Sequence, residues 1–341
     1  MKLLRKLLFP FAVVYGVITT IRNFLFDIGF LKSYAFPLPI IAVGNLSVGG
    51  TGKTPQIEYL IRLLSGKYRV ATLSRGYKRQ SEGFLLADAS VNAAILGDEP
   101  FQFFQKFPAI QVAVDADRKN GIEQLLSQKN IPEVILLDDA YQHLKVKAGF
   151  YILLTAYGDI YANDYLLPTG NLRESRNGAQ RAAIVVVTKC PKNLSTSEQI
   201  RIKNQLKLAE NQQLYFTFID YEDSVYSKET KLKLADLENE SKLLLAGIAK
   251  PESFFEQLKA EDDECLIFPD HHNFSESEIS AIQKQAKGRK IITTEKDYVR
   301  LKDSILSEQL YYLPIRSSFI SNEKEFDQTI LDYVGTSSRN R

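Results

Sequence analysis

The chain has 341 residues, 45% of them hydrophobic and 25% charged, with a formal net charge of +2. That balance belongs to a globular chain and excludes a disordered one, and the small net charge leaves no electrostatic footprint for a nucleic-acid partner. Its two cysteines, Cys190 and Cys265, are too far apart in sequence for a disulfide framework or a zinc site, which suits a reducing compartment.

The N-terminus is basic and then apolar. Lys2, Arg5 and Lys6 precede a run from Leu7 to Ile21 that is broken only by Pro10, Gly16 and two threonines. Arg22 and Asp27 interrupt it, and Phe24, Leu25, Phe26, Ile28, Phe30 and Leu31 continue it. The uninterrupted part is about 15 residues, short of the roughly 20 that span a bilayer. A cationic start beside an apolar face predicts an uncleaved anchor lying on a membrane surface. A buried core helix and a secretory signal are the alternatives. No small-residue cleavage site follows, which argues against the signal.

Val-, Ile- and Leu-rich runs then recur with helical patterns between them. Ile40–Val43, Arg69–Leu73, Ile110–Val114, Val134–Leu137, Tyr151–Leu154 and Ala183–Thr188 show little alternation, as in strands buried on both faces of a parallel sheet. The fold class is therefore α/β. After about residue 192 the texture is more polar, and 195–213 and 221–241 read as helix or loop. Further strands are expected at Leu214–Ile219, Leu243–Ile248, Leu266–Phe268, Lys290–Thr293 and Leu310–Leu313. Three parts follow: an anchoring helix over 1–35, a main α/β domain over 36–212, and a smaller α/β domain over 213–335. Gly335 to Arg341 reads as a frayed tail.

Between the strand Ile40–Val43 and a helix expected over Gln56–Leu64 lies Ser47-Val48-Gly49-Gly50-Thr51-Gly52-Lys53-Thr54. Glycines let successive N–H groups turn toward phosphate oxygens, and the helix N-terminus adds its dipole. Lys53 would reach the β- and γ-phosphates of ATP, and the Thr54 hydroxyl would ligate Mg²⁺. Pro55 suits the first helical turn. The usual loop pattern has glycine where Ser47 stands. A second metal ligand is expected at the end of another strand, and Val134–Leu137 runs into Asp138-Asp139. Either carboxylate could hold the metal directly or through water, with Asp139 preferred. A domain of this kind resembles the phosphate-loop NTPases.

The motifs together resemble a family, the tetraacyldisaccharide 4′-kinases of lipid A biosynthesis. The resemblance runs through Val43–Pro55, Leu73–Tyr77, Gly97-Asp98-Glu99-Pro100 and Asp115–Arg118. It continues through Asp138–His143, Leu167–Glu174, Ala246-Gly247-Ile248, Phe268–Phe274 and Thr294–Asp297. Ser47 is usual in this family, whereas Ala140 and Lys78 depart from its pattern. The resemblance implies transfer of the ATP γ-phosphate to the 4′-hydroxyl of an acylated glucosamine disaccharide lipid. It also implies a monotopic enzyme, expected as a monomer, on the cytoplasmic face of the inner membrane.

A sugar hydroxyl needs a positioned base, and a transferring phosphoryl group needs cations. By resemblance, Asp98 is the base and His271 its partner, which would place the site between the two domains. Of the chain's three histidines, His143, His271 and His272, His272 is the lesser candidate for that partner. Arg118 and Arg173 are candidates for phosphate or transition-state contacts, because a guanidinium matches phosphate oxygens bidentately. Arg75 follows a strand end and would face the acceptor. Asn45, Gln142 and His143 are further polar candidates. Glu295-Lys296-Asp297 reads either as functional or as an ion-paired helix start. The competing functions are a soluble small-molecule kinase, a nucleotide-switch ATPase and a nucleotide-binding scaffold. Val48 stands where such switch proteins commonly carry a signature lysine, which argues against the second.

Overall fold

The structure is a computed structural model that describes residues 5–248, 251–270, 272–306 and 308–339. It divides into two compact units, Met1–Ile219 with Ser317–Arg341, and Asp220–Arg316.

The first unit opens with α1 (Phe9–Asp27), nineteen residues long. It outlasts the expected apolar run because it continues through Arg22, whose guanidinium bonds to Asn23 and reaches the Gln142 carbonyl at 3.5 Å. By length and composition α1 could cross a membrane. Only Ala12, Gly16 and Thr19 are buried, while Phe11, Val14, Val17, Ile18 and Ile21 are all half or more exposed. That exposure does not fit the buried-core alternative. Leu166 lies so close to Gly16 that a Cβ there would sit 2.6 Å from it, which is why a small residue interrupts the apolar run.

The remaining elements of this unit follow in chain order. They are β1 (Ile40–Asn45), α2 (Lys53–Ser65), β2 (Val70–Ser74), β3 (Leu85–Leu86), α3 (Ala93–Leu96) and α4 (Asp98–Lys106). Then come β4 (Gln111–Val114), α5 (Arg118–Leu126), β5 (Val134–Asp138), β6 (Phe150–Ala156), β7 (Ile184–Thr188), α6 (Thr196–Leu206) and β8 (Gln213–Tyr221). The second unit holds β9 (Ser224–Tyr226), β10 (Lys231–Lys233), α7 (Leu234–Leu237), β11 (Leu243–Ala246), α8 (Glu252–Leu258) and β12 (Glu264–Ile267). It continues with α9 (Glu276–Ala286), β13 (Ile291–Thr294), α10 (Glu295–Leu301) and β14 (Leu310–Leu313). β15 (Ile315–Phe319) and α11 (Glu323–Arg339) return the chain to the first unit.

Nine strands form the first sheet, in the order β15-β8-β7-β6-β1-β5-β2-β4-β3. From β8 to β4 all neighbours are parallel. β1, β2, β5 and β7 are buried along their whole length, as their unbroken apolar runs require. β2, β4 and β5 lie to one side of β1, and β6, β7 and β8 to the other. The strand order therefore reverses at β1, and its carboxyl end opens on the crevice where such sheets bind ligands.

Two expectations change here. Residues 213–216 pair in parallel with β7, so the strand joins the first sheet, and the chain to Ile219 belongs to the first unit instead of opening the second. The segment expected to fray from Gly335 stays helical as far as Arg339, because it is the end of α11, whose earlier turns pack within the first unit. Phe326, Ile330 and Val334 are fully buried, a gain of about 1.5–3 kcal/mol for each large side chain. The Tyr333 hydroxyl donates to the Ile40 carbonyl at 3.1 Å.

The second sheet runs β10-β9-β14-β13-β11-β12, parallel from β14 to β12. The 221–241 stretch, expected as helix or loop, supplies its two antiparallel edge strands.

Candidate active site

β1 ends at Asn45, and the chain turns through the glycine loop into α2. Gly49 (φ +112°) and Gly52 (φ +82°) take backbone conformations that a side chain would strain, and Gly52 caps the helix. The first bond of α2 runs from Gln56 N to the Gly52 carbonyl, 3.3 Å, so the N–H groups of Lys53 and Thr54 have no intrahelical acceptor. The loop is fastened from outside. Val48 N donates to Asn171 O (2.8 Å), Thr188 Oγ1 to Thr51 O (2.8 Å) and Lys189 Nζ to Gly50 O (2.7 Å). Ser47 is nine-tenths buried, with its carbonyl held by Asn45 Nδ2 at 2.6 Å. Apart from the Val48 N–H, these bonds engage loop carbonyls, and none uses the helix-end N–H groups, which leaves those for an anion.

Lys53 Nζ lies 3.6 Å from Asp139 Oδ1 and 3.5 Å from Asn45 Oδ1. Asp139, in the left-handed region at φ +47°, receives both arms of Arg173, at 2.8 and 3.2 Å. Burial pushes the Asp139 carboxyl up, but the Lys53 and Arg173 cations prevail and hold it below the usual carboxylate range. Arg173 also donates to Asn45 O at 3.1 Å and touches Asn45 Oδ1.

Asp138 points the other way. It is buried at the end of β5 and accepts from Ser74 Oγ at 3.3 Å. Burial, then the negative charges of Glu99 and Asp139, push its carboxyl up to about 7. Arg118 is also buried. Its guanidinium donates to the Asp115 carbonyl (3.1 Å) and the Asp138 carbonyl (3.2 Å), so it braces the end of β5 from behind.

Asp98 and Glu99 open α4. Gly97 before them takes φ +96°, and a Cβ there would sit 3.3 Å from Gly76 Cα, so this turn packs on the Arg75-Gly76-Tyr77 turn. Asp98 is half-buried. Glu99 Oε1 lies 3.4 Å from Thr54 Oγ1, which makes Glu99 a site residue that motif reasoning passed over. Its signal was its place beside Asp98 in the first turn of a helix. Thr54, Glu99 and Asp138 form a cluster of hard oxygen donors. Among the described residues no group of three or more His, Cys, Asp or Glu side chains is arranged to hold a metal.

His271 lies outside the described residues. His272 Nε2 is 2.9 Å from Glu278, and its ring packs on Phe268 and Phe274. Burial and the Arg118 charge push His143 down to about 4, and its Nε2 has no hydrogen-bond partner among the described residues. Gln142 Nε2 joins the Asn45 carbonyl to Glu174, both at 2.9 Å. Glu174 is fully buried and also accepts from Arg181 (2.7 Å) and from Asn23 of α1 (2.8 Å). Tyr15 of α1 donates to the Arg173 carbonyl at 2.7 Å. Arg75 is exposed at the end of β2.

Known proteins resemble this chain over almost its whole length. The family model described as Tetraacyldisaccharide-1-P 4′-kinase matches residues 4–335. The tetraacyldisaccharide 4′-kinase of Flavobacterium johnsoniae is 71% identical over 334 residues, which cover 98% of each chain. That of Bacteroides thetaiotaomicron is 46% identical over 361 residues, covering 99% of this chain and 95% of its own. A crystal structure of "apo" form LpxK from Aquifex aeolicus in complex with ATP superposes with a TM-score of 0.79 at 30% identity, covering 97% of this chain and 99% of that one. The chain belongs to the tetraacyldisaccharide-1-P 4′-kinase family and is a kinase of lipid A biosynthesis.

Proposed function

We propose that this kinase transfers the ATP γ-phosphate to the 4′-hydroxyl of a tetraacylated glucosamine disaccharide 1-phosphate. The observation that carries the reading is the meeting of two helix N-termini, those of α2 and α4, where Thr54 and Glu99 stand 3.4 Å apart beside Lys53 and the Asp138–Asp139 pair. The free N–H groups at the start of α2 take the phosphates. Lys53, now between Asp139 and Asn45, exchanges those partners for β- and γ-phosphate oxygens.

Mg²⁺ would be held by Thr54 and by Asp138 or Asp139, directly or through water, with Glu99 beside Thr54. The raised Asp138 carboxyl supports this, since a cation beside it relieves the charge that Glu99 and Asp139 impose. Bound there, Mg²⁺ supplies charge neutralisation on the transferring group. Asp98 takes the proton of the 4′-hydroxyl; His271, the partner that the resemblance implies, lies outside the described residues. The sugar oxygen bonds to the γ-phosphorus as the bond to the β-phosphate oxygen breaks, and ADP leaves. Arg173 balances the negative charge of Asp139 when Lys53 moves, and Arg118 acts through its brace on Asp138.

The exposed apolar face of α1 supports attachment to a lipid surface, the cytoplasmic face of the inner membrane. Incubation of the full chain with γ-labelled ATP and the disaccharide lipid in vesicles tests the reading. Label should appear in the lipid at the 4′-position. Label released as phosphate at a rate indifferent to lipid would favour a nucleotide switch instead.

A further inference from the structure

One buried carboxylate in the first unit has no part in the chemistry above. Glu58, two turns into α2, is 1% exposed. Its Oε1 accepts from Gln102 Nε2 at 2.8 Å, and its Oε2 takes Lys106 Nζ at 2.7 Å and Arg62 Nη2 at 3.0 Å. Gln102 and Lys106 belong to α4. Glu58 follows Thr54 by four residues, and Gln102 follows Asp98 by four, so each partner lies below a site residue on the same face of its helix. The two helices meet at three successive points, Thr54 with Glu99, Glu58 with Gln102, and Glu58 with Lys106.

A charge between two helices is an expensive way to join them. Desolvating a carboxylate costs several kcal/mol, and an apolar residue of similar volume often serves stability as well or better. What the carboxylate adds is register. Apolar packing from Phe101 and Phe103 holds α4 in place but tolerates sliding, whereas two oxygens that meet three donors have one geometry. The N-terminus of α4 has no side-chain cap of its own, because Gly97 occupies that position. Its place along α2 must come from lateral contacts.

We propose that Glu58 is a positioning residue, which through Gln102 and Lys106 sets the height of Asp98 and Glu99 against Lys53 and Thr54. This rests on the reading of Asp98 as base and Glu99 as a metal-side carboxylate. A displacement of about 1 Å in such a constellation can lower turnover 100-fold.

The test uses the full-length Glu58→Leu, Glu58→Gln and Gln102→Leu variants, with melting curves, kcat, KM for ATP and the Mg²⁺ concentration at half-maximal rate. Folded Glu58→Leu should lose about 10- to 100-fold in kcat, while KM for ATP stays within about 3-fold and the Mg²⁺ requirement rises. Gln102→Leu should move in the same direction by less. A merely structural role would lower the melting temperature and leave kcat and the Mg²⁺ requirement in place, and that result overturns the proposal. If Glu58→Leu does not fold, the other two variants decide, and unchanged kcat and Mg²⁺ dependence in both overturn it. Loss of folding in all three also overturns it, since Glu58 would then serve the fold. Asp98→Ala is measured in parallel. Unchanged kcat there defeats the base reading alone, and Glu58 is then judged on the Mg²⁺ dependence that acts through Glu99.

Discussion

The carboxyl edges of the two parallel sheets are both polar, but they are finished in different ways. In the second unit the Asp297 carboxylate is absorbed by the fold. Its Oδ2 accepts from Gly247 N at 2.8 Å and from Thr294 Oγ1 at 2.7 Å, and Thr294 caps α10 by accepting from Asp297 N. A Cβ at Gly247 would sit 2.8 Å from Asp297 Oδ1, so glycine is required for this joint. In the first unit the site carboxylates face other side chains, and apart from the 2.8 Å bond of Arg173 to Asp139 they do so at longer range. Lys53 is 3.6 Å from Asp139, Glu99 is 3.4 Å from Thr54, and Asp138 is buried with its carboxyl raised to about 7. Short bonds from side chain to backbone make a joint. Long contacts between charged side chains can be traded for the oxygens of a ligand, and that makes a site.

The largest effect that could break the contrast is kinetic. Asp98→Ala should lower turnover about 100-fold or more with little change in ATP binding, as removal of a general base does. Steady-state rates with the lipid acceptor check it, and an unchanged rate would remove Asp98 from the reactive edge.

Next comes stability in the second unit. Asp297→Ala strands the Gly247 N–H and should cost about 2–3 kcal/mol, read from denaturant melts. A cost under about 0.5 kcal/mol would mean that Asp297 is no joint.

The smallest effect is a pH dependence. The folded protein holds the Asp138 proton up to about pH 7, well above the ordinary Asp value of 3.8. This group's contribution to stability is therefore complete below about pH 4 and is lost as pH rises through about 7. In chelator, Asp138→Asn should melt above the parent at pH 8 by about 1–2 kcal/mol of stability, with the gap closing near pH 4. A gap that does not change with pH would show that Asp138 keeps its charge at no penalty.

The sequence made the first sheet readable because strands buried on both faces need unbroken Val, Ile and Leu, as in Ile184–Thr188. The glycine loop was readable because Gly49 and Gly52 do what only glycine does easily. Which sheet a strand joins was not readable. Leu214–Ile219 would look the same in either, and only its pairing with β7 decides. Ser224–Tyr226 and Lys231–Lys233 are too short and polar to announce strands at a sheet edge. Arg118 was singled out for its chemistry, yet its burial behind β5 depends on carbonyls that no motif displays. Glu99 was hidden by its neighbour, since Asp98 drew the attention in Gly-Asp-Glu-Pro. The attachment of α1 was invisible because it joins residues about 150 positions apart, as in Asn23 with Glu174.

That attachment sets an angle. Arg5 donates to Pro168 O at 3.0 Å and Asn171 Oδ1 at 3.1 Å, Tyr15 holds the Arg173 carbonyl, and Asn23 holds Glu174. Two points about two turns apart on α1, with a third just before its start, prevent it from rolling about its axis. The apolar stripe therefore works as a keel. Were that stripe to meet a surface, the crevice at the end of β1 would be presented to it at one fixed tilt, and an acceptor held in the surface would approach Lys53 from one side.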